Sequence, residues 1–382
     1  MKKAMSRLWS LLLAVVVMMT ALAGCNSGGG GDQKESTDPI PIPAPQLESE
    51  NEAEPETRVV VDLAGREVIV PYHLERVASL TGPSFETVIM LGGQDQVVMT
   101  GNGMPAKDWG PVVCPEYAEF PRTEDATNPN VEEMMEQDVQ VALFWDKFPE
   151  AIQAMEDAGI AVFVTQLGDE GITSPEELLE FKKREIMCVG ELFGGECVER
   201  AKMWCDYADE TVEKITSRTS KLTEDEIRSV YYVRGPEALQ THGGNSLTRY
   251  LVEMAGGELV NKDEYKGLYT TTMEEVLGWD PEVIFMGRVN NVELVTEDPA
   301  WAAIQAVTNG DVYINEKSVG PAEYSTDCFL MMEQIAKDLH PELFEDLDMV
   351  QEVKDYFKTF YRYELTDEQA EMVLNFQSPS QK

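Results

Sequence analysis

The sequence predicts an α/β protein built as two lobes, each around a central, mostly parallel sheet, joined by one long helix. Short apolar strands alternate with amphipathic helices along most of the chain. One uninterrupted helical stretch, Glu196 to about Ser217, interrupts that alternation, and at 1.5 Å per residue it spans ~33 Å, the width of a small lobe. A short pattern also recurs once on each side of it. Strand, crossover helix and parallel strand in repetition make both lobes Rossmann-like.

The elements follow in order. Arg58 to Asp62, a turn over Leu63-Ala64-Gly65-Arg66, and Glu67 to Val70 read as a β-hairpin. Val77 to Leu80 is a strand before a helix from about Ser84 to Leu91, and Val97 to Met99 is the next strand. Val141 to Phe144, a helix Glu150 to Ala158 and the strand Ala161 to Val164 complete an N-terminal lobe over 58–173. Ser174-Pro175-Glu176-Glu177 carries the signature of a capped helix start, with proline at the first helical position. It opens a helical region over 174–218, divided by Gly194-Gly195. In a C-terminal lobe, 219–382, the strands are Ser229 to Val233, Val283 to Phe285 and Val312 to Ile314, with a helix Ser246 to Ala255.

The recurring pattern is Val131-Glu132-Glu133-Met134-Met135, leading through Asp138 to the strand at Val141. Its counterpart is Met273-Glu274-Glu275-Val276-Leu277, leading through Asp280 to the strand at Val283. Glu132 and Glu274, Glu133 and Glu275, and the two aspartates coincide without a gap. Pseudo-twofold lobes with one acidic residue placed alike on each are the expectation.

Composition excludes some functions. The 382 residues hold 30 Lys+Arg against 70 Asp+Glu, a formal charge of −40, so phosphate-backbone binding and a polybasic grip on lipid are ruled out as main roles. At 43% hydrophobic and 8% aromatic, the chain has enough apolar residues for a packed core. Cys114, Cys188, Cys197, Cys205 and Cys328 show no CxxC spacing, and no HxxxH appears, which argues against a structural zinc site. No GxSxG, phosphate-binding loop or clustered histidine pair is present, so an enzyme is not expected.

The first residues supply a different route to a membrane. Lys2, Lys3 and Arg7 precede an apolar run from Leu11 to Leu22, too short to span a bilayer and ending in small residues as an export signal does. Leu22-Ala23-Gly24-Cys25 resembles the lipobox of bacterial lipoproteins, which implies that 1–24 is a signal peptide and Cys25 is lipidated. Residues 25–57 read as a tether, because Gly28 to Gly31, the proline run Pro39 to Pro45 and eight acids against Lys34 cannot form a core. Lipid at Cys25 would place the body outside the cytoplasm, anchored to the cell membrane.

From about Arg58 to Asn375 the chain resembles the substrate-binding lipoproteins of bacterial ABC importers for iron–siderophore, haem and cobalamin. The landmarks are GREVIVP in the hairpin, NPNVEEMM before a strand, VGELFGGE entering the long helix, GWDPEVIFMG, and the tail HPELFEDLDM with YRYELTDEQ. The resemblance implies a binding protein with no intrinsic cofactor and a shallow cleft between the lobes. Its partners would be a permease dimer with its ATPase subunits and a small-molecule metal complex. It also implies that Glu132 and Glu274 dock onto the permease.

Ligands of such folds meet the loops that leave the carboxyl ends of strands. Those loops carry Trp109, Tyr117, Trp145 and Lys147 in the first lobe, and Arg234, His242 and Arg288 in the second, with Tyr324 ahead of a later helix. Lys147, Arg234 and Arg288 would suit an anionic catecholate complex, the aromatics a neutral hydroxamate complex or cobalamin, and a His242/Tyr324 pair haem. His242 is expected on an exposed loop, with Asn245 or Ser246 capping the next helix. A ferric siderophore ranks first among ligands, haem or cobalamin next. A chelatase-like enzyme and a ligandless surface protein are the alternatives from other classes.

Overall fold

A computed structural model describes residues 55–379 apart from 102–108, 169–170, 265, 316–318 and 321. The readings for Cys25, for the signal peptide and for nearly all of the tether lie outside the described residues. The tether reading does run too far at its end, since Thr57 already belongs to the first strand and pairs with Pro71.

The hairpin forms as expected from β1 (Thr57–Val61) and β2 (Glu67–Pro71), antiparallel in a sheet of its own. Its turn is held by the buried Asp62 carboxylate, which accepts from Arg66 N at 2.9 Å, Arg66 Nε at 2.8 Å and Val164 N at 3.1 Å. The last of these bonds fastens the hairpin to the neighbouring sheet.

That sheet contains β3 (Val77–Ser79), β4 (Val97–Thr100), β5 (Val141–Trp145) and β6 (Ala161–Gln166) in the order β4-β3-β5-β6, all parallel. Period-2 alternation shows in its packing. Val141 and Leu143 of β5 face a core shared with the rest of the protein, whereas Ala142 and Phe144 face the outer helices Val131–Glu136 and Pro149–Asp157.

The second sheet is mixed. Its strands are β7 (Arg228–Val233), β8 (Gln240–His242), β9 (Gly257–Leu259), β10 (Leu268–Thr270), β11 (Val283–Met286) and β12 (Val312–Ile314). β7, β9, β11 and β12 run parallel, and β8 lies antiparallel between β7 and β10, so that it alone runs against the rest. β8 (Gln240-Thr241-His242), β9 (Gly257-Glu258-Leu259) and β10 (Leu268-Tyr269-Thr270) lack the apolar run that marks the equally short β3 and β12, so the sequence reading missed them. Here too alternate residues divide. Val230 and Tyr232 of β7 enter the shared core, and Tyr231 and Val233 the outer one.

Two helices lie between the sheets in sequence, Pro175–Phe193 and Glu196–Thr219. The first is capped by Ser174 Oγ, which accepts from Glu177 N at 3.2 Å, while the Glu177 carboxylate reaches back to Thr173 rather than to Ser174. The second binds both halves. Arg200 donates to Met90 O at 2.9 Å and to Phe360 O at 2.8 Å, and Trp204 Nε1 to Thr326 O at 2.9 Å. The shared core follows the same route, from Val77 and Val141 through Trp204 to Val230, Val283 and Phe329. All five cysteines among the described residues are free, and no described helix is long and apolar enough to cross a membrane.

Candidate functional site

At the carboxyl ends of β7 and β11 the chain turns sharply, which brings Arg234 and Arg288 side by side. Gly287 makes this turn feasible: a Cβ there would fall 2.3 Å from the Tyr232 ring. Both arginines converge on Glu323, whose side chain has no solvent exposure. Arg288 Nε donates to Glu323 Oε1 at 2.5 Å, and Arg234 Nε lies 3.4 Å from the same oxygen, near enough for an ion pair but not aligned for a hydrogen bond.

Tyr324, the next residue, stacks beside this group, with the Arg288 guanidinium 5.4 Å from its ring centroid. Its hydroxyl is 3.0 Å from His242 Nε2, and His242 Nδ1 is 2.9 Å from Thr248 Oγ1. Tyr232 lies parallel to the imidazole at 5.9 Å between centroids. Burial, then Arg234 and Arg288, depress the His242 pKa to about 3, so the ring is neutral at neutral pH. His242 therefore does not sit on an exposed loop as expected. It belongs to β8, is fully buried and has both ring nitrogens engaged.

The capping expectation also changes. Ser246 occupies the cap position of the helix Leu247–Met254, but its hydroxyl donates to Gly243 O at 2.7 Å instead of closing the helix.

Trp145 and Lys147 end β5 in the other sheet and pair with each other, Lys147 Nζ standing 4.4 Å from the Trp145 centroid. Among the described residues no hydrogen bond or ring contact joins them to the Arg234–Tyr324 group. Trp109 and Tyr117 do not line a cleft. Both are buried in the shared core, Trp109 donating from Nε1 to Gln377 O at 3.1 Å.

Among the described residues, Trp145 Nε1, Arg234 Nε and Glu323 Oε2 are buried polar atoms without a hydrogen-bond partner. Such atoms are rare in folded proteins and mark places where something else supplies the missing bond. Among the described residues no three His, Cys, Asp or Glu side chains form a metal cage. Sequence reading missed Glu323. The signal for Glu323 was its position directly before Tyr324.

The arrangement is a small, net cationic cluster with one neutral imidazole and one phenol, set at the strand ends of a two-sheet α/β fold. Residues 77–318 match the family described as periplasmic binding protein.

The chain belongs to that family.

It is 26% identical over 328 residues to the molybdate-binding protein MolA of Haemophilus influenzae, covering 80% of this chain and 91% of the relative. In fold it is similar to MolA bound to molybdate, with a TM-score of 0.69 and 23% identity over 81% of this chain and 99% of that one. A periplasmic solute-binding protein from Veillonella parvula gives a TM-score of 0.72 at 22% identity, covering 84% and 97%. The Ni-His complex of Helicobacter pylori CeuE gives 0.65 at 20% identity, covering 83% and 99%.

Proposed function

We propose that this periplasmic binding protein is the solute receptor of a bacterial ABC importer and that its solute is an anionic metal complex, a ferric siderophore, held by Arg234, Arg288 and Tyr324; His242, expected from sequence as a contact, is buried behind Tyr324 and supports it instead. The reading is carried by Arg234 and Arg288, which stand side by side at the strand ends around Glu323 with part of each side chain exposed. Tyr324 borders them, and the buried His242, with both ring nitrogens engaged, holds its hydroxyl in place. The arginines would neutralise the catecholate oxygens.

Lys147 and Trp145 would approach from the other lobe. Glu132 and Glu274 would dock onto the permease, and lipid at Cys25 would hold the protein at the outer side of the cell membrane. Nothing in this role calls for a resident cofactor or a catalytic step.

A second reading has its own support. A molybdate-class oxyanion would use the arginines alone, and the similarity to MolA favours it. Haem, whose propionates could meet the arginines, and cobalamin come behind both, since the imidazole that would bind their metal is buried with both nitrogens engaged.

Titration of tryptophan fluorescence with a ferric tricatecholate, molybdate, haem and cobalamin decides. Saturable quenching by the iron complex, weakened at least about tenfold by Arg234→Ala or Arg288→Ala, is expected. Saturable quenching by molybdate with no response to the iron complex moves the assignment to the oxyanion.

A further inference from the structure

Solute capture by the arginines gives no task to Glu323, although it is the most buried charge in the cluster. One oxygen serves Arg288 and Arg234, and the other is buried with no hydrogen-bond partner among the described residues. Leaving half a carboxylate unpaired in the interior is costly, so the charge itself must be needed there. Both guanidiniums meet Glu323 through Nε. Their side chains remain 18% and 23% exposed, and no described residue accepts from their terminal nitrogens. Among the described residues the inner side of the pair is thus occupied and the outer side is open.

We propose that Glu323 is a built-in counter-anion, which cancels one of the two arginine charges and so sets how steeply the site discriminates solutes by their charge. The inference rests on the assignment of Arg234 and Arg288 as solute contacts. Coulomb repulsion between Glu323 and a solute grows with the solute's charge: nothing for an uncharged complex, most for a trianion. A cluster with two uncompensated arginines would bind a trianionic complex far more tightly, and a receptor that must hand its cargo on would then release it slowly. A glutamate whose charge is screened from the solute would show no such dependence on solute charge.

The test uses the full chain and Glu323→Gln, which preserves size and an acceptor oxygen for Arg288 Nε. Both proteins are titrated by tryptophan fluorescence with a trianionic ferric tricatecholate, dianionic molybdate and an uncharged ferric trihydroxamate. Glu323→Gln should tighten the trianion by about tenfold or more, molybdate by less, and the uncharged complex by under about twofold. An equal change for all three probes, or no change for any, overturns the proposal. If the parent protein binds none of them, the ligand assignment fails separately. Anion binding gained in Glu323→Gln then still supports the counter-anion, and no gain overturns it. Should that variant not fold, Glu323→Asp serves, because it draws the charge back from Nε. The same order of effects at smaller size supports the proposal, and identical changes for all probes sink it.

Discussion

Asp138 and Asp280 leave their respective helices in the same left-handed backbone conformation, with φ of 49° and 45°. Each follows a short helix, Val131–Glu136 or Met273–Trp279, and each precedes a strand of its lobe's sheet, β5 or β11. The sequence repeat is therefore a repeat of shape, down to two strained positions. It sets Glu132 and Glu274 in the first turn of matching helices, both exposed, where the helix dipole favours an acid.

The proposed role of these matched acids is docking onto the permease rather than ligand capture. In cells, the double variant Glu132→Ala/Glu274→Ala is expected to lose uptake of the solute while the purified protein keeps its affinity. Uptake at the parental rate would remove the docking assignment.

The left-handed aspartates also make a stability prediction. A non-glycine residue pays about 1 kcal/mol in this region. Asp138→Gly should raise the melting temperature slightly, and Asp138→Val should lower it by several degrees. Asp280→Gly should gain less, because Asp280 Oδ1 also accepts from Gln305 N at 2.9 Å. Calorimetry of the three variants checks the order.

His242 makes a pH prediction. Its folded pKa, about 3, lies below the ordinary 6.5. The contribution to stability is thus present above pH 6.5 and is lost as pH falls toward 3, amounting to about 2 kcal/mol between pH 7 and pH 5. Burial acts oppositely on Glu333 and Asp338, raising each to about 7, so their contribution is lost as pH rises through 7. Comparing the parent with His242→Gln in urea at pH 7 and pH 5 isolates the histidine. The variant should lose less stability on acidification, and parallel losses would refute the assignment.

A fourth prediction concerns Glu86, which joins the two halves. Its carboxylate is fully buried, with its pKa raised by burial, and Oε1 accepts from Tyr361 Oη at 2.8 Å, Thr326 Oγ1 at 2.8 Å and Thr326 N at 3.2 Å. Tyr361→Phe removes one donor without opening a cavity, and should cost about 1–2 kcal/mol in urea unfolding. An unchanged midpoint would mean that the remaining donors suffice.

Strong periodic signals were legible. The hairpin, β5, β7, β11 and the long helix lie where apolar alternation and helical spacing put them, because burial on both faces of a parallel strand leaves an unbroken apolar run. β8 was not legible. Thr241 and His242 are short, polar and followed by Gly243-Gly244, so they read as a loop, yet pairing with β10 buries both. Trp109 and Tyr117 misled in the other direction, since an aromatic in a loop looks the same in sequence whether it faces solvent or the core.

By itself the sequence determined the fold class, the repeat with its paired glutamates, the acidic surface, and the arginines, histidine and tyrosine worth following. Local pattern and composition carry that much, since alternation and charge are properties of the chain. Only the tertiary structure decided that Arg234, Arg288 and Glu323 form one charged group and that Tyr324 meets His242. Those residues come from β7, β8, β11 and the segment before the helix Cys328–Leu339, and distance between strand ends is fixed by sheet order, which no local pattern records.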